Sequence, residues 1–213
     1  KFPIVIKPID SSRGSNVYTD IKDKQQMLKI IKKLLKKTND ILIEEFKQGY
    51  SYRILVFNNQ IIYAYQITKP SITGDSRHSV IQLINTIIHE SDDTINMDQI
   101  DFDNIRKLGY EKHSVLPKGV TITITSVANG SLGAVLKDLQ NSDIHPDNVA
   151  LFKKINRVTK LQLNGVDYLS PSIKVPYYLN DGIVLETNST PGITHIRKMP
   201  YASDRFMKAI DFN

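Results

Sequence analysis

The chain has 213 residues, of which 40% are hydrophobic and 23% charged, with a net charge of +6 and no cysteine. That length supports one large domain or two small lobes with a real core. The lack of cysteine excludes disulfides, thiolate metal sites and cysteine nucleophiles; no apolar run is long enough to span a bilayer and no signal-peptide pattern is present, so cytoplasm is the expected compartment.

Lys1 stands directly before an apolar segment, without a Met or a polar lead-in, and the chain reads as a fragment of a longer protein. Ile4-Val5-Ile6 predicts a short buried strand bracketed by Pro3 and Pro8. Asp10 to Asn16 is a polar loop around Gly14, after which Val17-Tyr18 resumes a strand. Asp20 to Lys37 predicts a helix, with Met27, Leu28, Ile30, Ile31, Leu34 and Leu35 near helical period. Lys29, Lys32, Lys33, Lys36 and Lys37 lie opposite. This positive balance suits anionic ligands such as nucleotides. No aromatics interleave with the lysines, so they read as a solvated helix face and not as a nucleic-acid or membrane patch. Ile41 to Phe46 predicts a strand, and Gly49 breaks it.

Tyr52–Phe57 and Ile61–Ile67 predict a hairpin around Asn58-Asn59. Lys69 to Ser76 is a loop containing Pro70 and Gly74. Val80 to His89 predicts a helix. Glu90 to Asp103 is acidic, weakly periodic and expected to be exposed; it lacks the glycine and terminal glutamate of a calcium loop. Val120 to Thr125 is β-branched and predicts a strand. Asn129 to Gly133 is a turn-rich loop without the pattern of a nucleophile elbow. Pro146 suits the first turn of a helix running to about Lys160, with Val149, Phe152, Ile155 and Val158 as its buried face. The five histidines show no metal-ligand spacing.

Gly165–Leu169 and Gly182–Leu185 are two further strand candidates. Glu186 and Asn188 follow the second at i and i+2, so they share a face. A carboxylate beside an amide oxygen is a hard-oxygen pair that suits magnesium. If the two strands pair, Asp167 adds a third oxygen, and Pro191-Gly192 then turns the chain. The competing reading is a hydrogen-bonded polar cluster between two strands. Arg53 lies among apolar strand residues and needs an anionic partner, either a ligand or an acid such as Glu45. Lys7, at a strand end, has the reach for phosphate oxygens.

In this order the motifs resemble the ATP-grasp ligases. Ile4-Val-Ile-Lys7-Pro8 followed by Ser11-Ser12-Arg13-Gly14-Ser15-Asn16-Val17 resembles the family's strand lysine and phosphate-covering loop. Ile41-Leu-Ile-Glu44-Glu45-Phe46 resembles the strand that reads adenine, and Asp167, Glu186 and Asn188 resemble its magnesium triad. Gly49-Tyr-Ser-Tyr52-Arg53-Ile-Leu-Val, Thr73-Gly74-Asp75-Ser76-Arg77-His78-Ser79-Val80 and His145-Pro146-Asp147-Asn148-Val149 look like cyanophycin synthetase and its relatives, which include the ATP-grasp half of bifunctional glutathione synthetases.

The resemblance implies an α+β ATP-grasp fold of two lobes with the nucleotide between them. About 1–45 form a small nucleotide-covering lobe, and about 46–213 a larger catalytic lobe with the metal site. It implies ATP and Mg2+ as cofactors and ATP-dependent joining of an amino acid to a peptide or amino-acid acceptor, with a substrate domain upstream. The implied nucleotide contacts are Lys7, Gly14, Ser15, Asn16, Glu44, Glu45, Phe46 and Ser51. Arg53 and Arg77 would serve the reaction, with His78 in the same substrate-side loop as Arg77. Four positions depart from the family pattern. Asn16 replaces a glycine, Ser51 stands near an expected acid, and Thr125 and Ser126 occupy the places of two arginines. They motivate the rival reading, a degenerate ATP-grasp module that binds nucleotide or a partner without catalysis.

Overall fold

A computed structural model of the chain describes residues 1–9, 16–90, 95, 97–125, 135–193, 204 and 206–208. The chain forms two compact units, Lys1–Phe46 with Thr68–Val135, and Lys47–Ile67 with Leu136–Asn213.

In the first unit, β1 (Ile4–Pro8) is the centre of a three-stranded sheet between β2 (Tyr18–Ile21) and β3 (Ile41–Glu45), antiparallel to both. Helix α1 spans Lys24–Leu34 and starts later than the apolar period suggests. Residues 18–21 are taken by β2, and Asp23 caps the helix by accepting from the Gln26 backbone N–H. Ile4, Ile6, Ile21 and Leu34 form the core here, with Met27, Ile30 and Ile31 against it. Leu28 and Leu35 are exposed, so the apolar stripe is narrower than predicted.

The rest of this unit packs a second core of Ile72, Val80, Ile84, Ile105, Leu116, Ile122 and their neighbours. It is built from β6 (Ser71–Thr73), α2 (Val80–Glu90), α3 (Phe102–Lys107) and β7 (Thr121–Thr123), with β6 and β7 antiparallel. Two expectations are corrected. The segment 69–76 contains a strand because Ser71 to Thr73 pairs with Thr121 to Thr123. Ile95 and Ile100 of the acidic stretch are buried, and α3, capped by Asp101, follows them. The buried isoleucines there lack a local period, since long-range packing selects them.

The second unit is a five-stranded sheet, β10-β9-β4-β5-β8, backed by α4 (Pro146–Thr159). Its strands are β4 (Tyr50–Phe57), β5 (Gln60–Thr68), β8 (Val135–Asp138), β9 (Leu163–Ser170) and β10 (Ile183–Asn188). The β4–β5 hairpin turns at Asn58 and Asn59, both left-handed, as a tight turn between twisted strands requires. Tyr52, Ile54, Val56, Val166 and Tyr168 point to one face and pack with Phe152 of α4. Fully burying Phe152 contributes about 1.5–3 kcal/mol. Val158, predicted in that face, is 72% exposed because α4's buried stripe follows Asn148, Phe152 and Asn156. The alternation that sends these residues to the core sends the intervening ones to the opposite face.

Candidate functional site

The face of the second sheet away from α4 carries a row of four side chains from four adjacent strands. Tyr65 on β5 is opposite Arg53 on β4, Arg53 opposite Asp167 on β9, and Asp167 opposite Glu186 on β10. Asn188 joins the row two residues along β10, across from Gly165. The register of β10 shifts between Val184 and Glu186, so a bulge brings Glu186 onto the face of Asp167. β10 also extends through Glu186 and Asn188, three residues beyond the predicted strand.

Arg53 holds Asp167 at two points. Its Nη2 donates to Oδ2 at 3.1 Å and its Nε lies 2.5 Å from Oδ1. The two side chains are 21% and 19% exposed. The acid expected as an alternative partner was Glu45; the structure supplies Asp167 instead. Asn188 Nδ2 donates to Asp167 Oδ2 at 3.3 Å and to Glu186 Oε1 at 3.1 Å. Burial pushes the Asp167 carboxyl up to about 7; Arg53 opposes the shift, Glu186 adds to it, and the Asn188 amide opposes it. Burial also pushes Tyr65 up to about 12, with Arg53 lowering it.

This donor set fits a small divalent cation. Two carboxylates and an amide offer only oxygen ligands, the chemistry magnesium takes. Both acids already converge on one atom, Asn188 Nδ2. Among the described residues no group of three or more His, Cys, Asp or Glu side chains is arranged for a metal, so a third side-chain oxygen at this place would have to come from the amide.

Two residues of this site have no counterpart in the sequence reading as functional groups. Gly165 leaves space that a Cβ would close, 2.7 Å from Pro191 Cβ and 3.0 Å from Arg53 Nη1. Tyr65 is 3% exposed beside Arg53. The period-2 spacing of Tyr63 and Tyr65, set against Arg53 in a hairpin of known turn, was the available signal. Ser51, expected at the ribose, lies two residues before Arg53 on the same face, opposite Leu169.

The other expected contacts belong to the first unit. Lys7 forms an ion pair of 2.7 Å with Glu44, a neighbour across β1 and β3. Glu45 ends β3, and the Phe46 backbone N–H donates to the Pro3 carbonyl. Asn16 is left-handed (φ 56°), a conformation glycine and asparagine accept best. Gly14 and Ser15 lie outside the described residues, as does Ser126.

Arg77 and His78 are exposed in the loop before α2. Asp75 organises that loop: its Oδ1 accepts from the backbone N–H of Arg77 and of His78, and its Oδ2 lies 2.5 Å from His78 Nδ1. These hydrogen bonds hold the Asp75 carboxyl well below the usual range. Gly74 is required by packing, since a Cβ there would overlap Leu116 and the Pro117 carbonyl.

The His145–Val149 motif is structural. Asn148 is fully buried; its amide N–H groups donate to the Ile173 and Val175 carbonyls, and its oxygen accepts from the Tyr177 N–H. It pins the loop that leads into β10.

The chain is similar to four known entities, one family and three proteins. Residues 1–83 match the RimK-like ATP-grasp domain. A cyanophycin synthetase from Geminocystis herdmanii is 26% identical over 202 residues, which cover 90% of this chain and 23% of that protein. The chain therefore spans about a quarter of the length of that curated relative. The bifunctional glutathione synthetase from Pasteurella multocida superposes with a TM-score of 0.61 at 19% identity, over 98% of this chain and 31% of that one. The D-alanine–D-alanine ligase from Bacillus anthracis, complexed with ATP, superposes with a TM-score of 0.53 at 12% identity, over 99% and 51%. The sheets and helices described above are the α+β ATP-grasp fold. No helix among the described residues is long and apolar enough to cross a membrane.

Proposed function

We propose that this chain, an ATP-grasp fold, is part of an ATP-dependent carboxylate–amine ligase similar to cyanophycin synthetase. In the reaction, the γ-phosphoryl of ATP passes to a carboxylate oxygen and ADP leaves. The nitrogen of an amine then attacks the acyl carbon, loses a proton, and phosphate departs, leaving an amide. The substrates in this reading are an amino acid and a peptide or amino-acid acceptor, and the compartment is the cytoplasm. In this reading about 1–45 form the nucleotide-covering lobe and about 46–213 the catalytic lobe, although Thr68–Val135 packs in one compact unit with Lys1–Phe46.

The observation that carries the proposal is the convergence of Asp167, Glu186 and Asn188 beside Arg53 on one sheet face. Asp167, Glu186 and the Asn188 amide oxygen would hold Mg2+, which supplies charge neutralisation at the phosphates when bound. Lys7 is a point charge for phosphate oxygens, and Gly14, Ser15 and Asn16 supply backbone N–H groups over them. Glu44, Glu45 and Phe46 receive adenine, and Ser51 the ribose. Arg53 and Arg77 stabilise the transferring phosphoryl or the substrate carboxylate; such fixed charge is the main catalytic term when the protein does little covalent chemistry.

The test is ATP turnover by the full-length protein with an amino-acid mixture, with amide product identified by mass. Stimulated turnover with product supports ligation. The second reading, a nucleotide-binding module without catalysis, is favoured by Thr125. It is 3% exposed and uncharged at a place where the resemblance implies an arginine. ATP binding without turnover would decide for that reading.

A further inference from the structure

The carboxylate site already contains a cation of its own. Arg53 engages both oxygens of Asp167, and Asn188 turns its amide nitrogen, not its oxygen, toward Asp167 and Glu186. A carboxylate has about four lone-pair positions. On Asp167 Oδ2 the guanidinium takes one position and Asn188 another, while Arg53 Nε lies 2.5 Å from Oδ1 as a charge contact without a hydrogen bond. The arrangement is packed in place. Gly165 provides the space for Nη1, and the buried Tyr65 backs the arginine on the neighbouring strand.

We propose that Arg53 is the built-in counter-ion of this site, and that a divalent cation and Arg53 compete for Asp167. This inference rests on the magnesium reading above. An Nδ2 group cannot ligate a metal, so loading the site requires the Asn188 amide to turn over and present its oxygen. A metal ion near both acids also repels the guanidinium, which weakens its hold on Asp167. The consequence is a link between two parts of the site: metal loading frees the positive charge of Arg53 for an anionic group of the substrates. Without metal, the same charge keeps Asp167 and Glu186 from repelling each other.

The experiment is titration of the purified chain with Mn2+ alone, free ion being read by electron paramagnetic resonance, for the unaltered chain, Arg53→Met and Arg53→Lys. Loss of the competing charge should tighten Mn2+ binding by about tenfold or more in Arg53→Met, while Arg53→Lys stays near the unaltered chain. Equal or weaker binding by a folded Arg53→Met protein overturns the inference. A second measurement needs no variant. In chain labelled with 15N-arginine, saturating Mg2+ should shift the Arg53 Nε–Hε signal and speed its hydrogen exchange; an unchanged signal overturns the inference. The magnesium reading fails separately, if Asp167→Asn retains the full magnesium-dependent stabilisation by ATP.

Discussion

Arg53 and Asp167 face each other across β4 and β9 as a two-point ion pair in which neither side chain is more than 21% exposed. The attraction does not fully offset the burial of the acid, because the Asp167 carboxyl stays raised. Such a pair adds little net stability, yet breaking it from one side leaves a poorly solvated charge. Asp167→Ala should therefore cost about 3–4 kcal/mol by urea unfolding, in the range for one-sided disruption. The double variant Arg53→Met, Asp167→Leu should recover most of that loss. A double variant as unstable as Asp167→Ala would show that the stranded guanidinium is not the cause.

The raised carboxyl fixes the sign of a pH dependence. Its folded value of about 7 lies above the ordinary 3.8, so its stabilising contribution is present in full below about pH 4 and is lost as pH rises through about 7. The chain without metal should lose on the order of 4 kcal/mol over that window relative to Asp167→Asn. Urea midpoints for both proteins from pH 4 to 8 measure it; a constant difference contradicts the assignment. Magnesium requires the ionised acid, so its affinity should climb over the same range.

Gly165 gives the site its width. In Gly165→Ala the new methyl meets Pro191 and the Arg53 guanidinium. Overpacking of this kind costs about 1–3 kcal/mol. The variant should melt lower and respond more weakly to magnesium and ATP. An unchanged melting temperature would mean that Pro191 yields without cost.

Asn148 should behave as a structural residue. Asn148→Leu removes two donors and one acceptor that hold the loop before β10. Stranding the Ile173, Val175 and Tyr177 backbone groups should cost about 2–4 kcal/mol. Nucleotide and metal affinity should fall only as far as unfolding explains, which comparison of binding well below the melting temperature will show.

Much of the site was legible because it follows local rules. The i, i+2 spacing of Glu186 and Asn188 fixed their common face, and Asn58-Asn59 fixed the hairpin that sets the Arg53 register. The order of motifs led to the ATP-grasp fold. What could not be read depends on pairing at long range. The partner of Arg53 is set by the β4–β9 register, across 114 residues of sequence. The bulge at Leu185 adds a residue that no alternation pattern reveals. Ile95 and Ile100 are buried by packing that their acidic neighbours disguise. Gly165 looks like a weak point in a strand until the arginine beside it is placed.

The most direct test of the proposed site is thermal unfolding with ATP and magnesium, for the unaltered chain and for Glu186→Ala. A ligand bound only by the folded chain raises stability by about 2.7 kcal/mol at a hundred times its dissociation constant. The account predicts a rise in melting temperature that needs both ATP and magnesium and disappears in Glu186→Ala. No rise at millimolar ATP with magnesium, or an equal rise in both proteins, would contradict it.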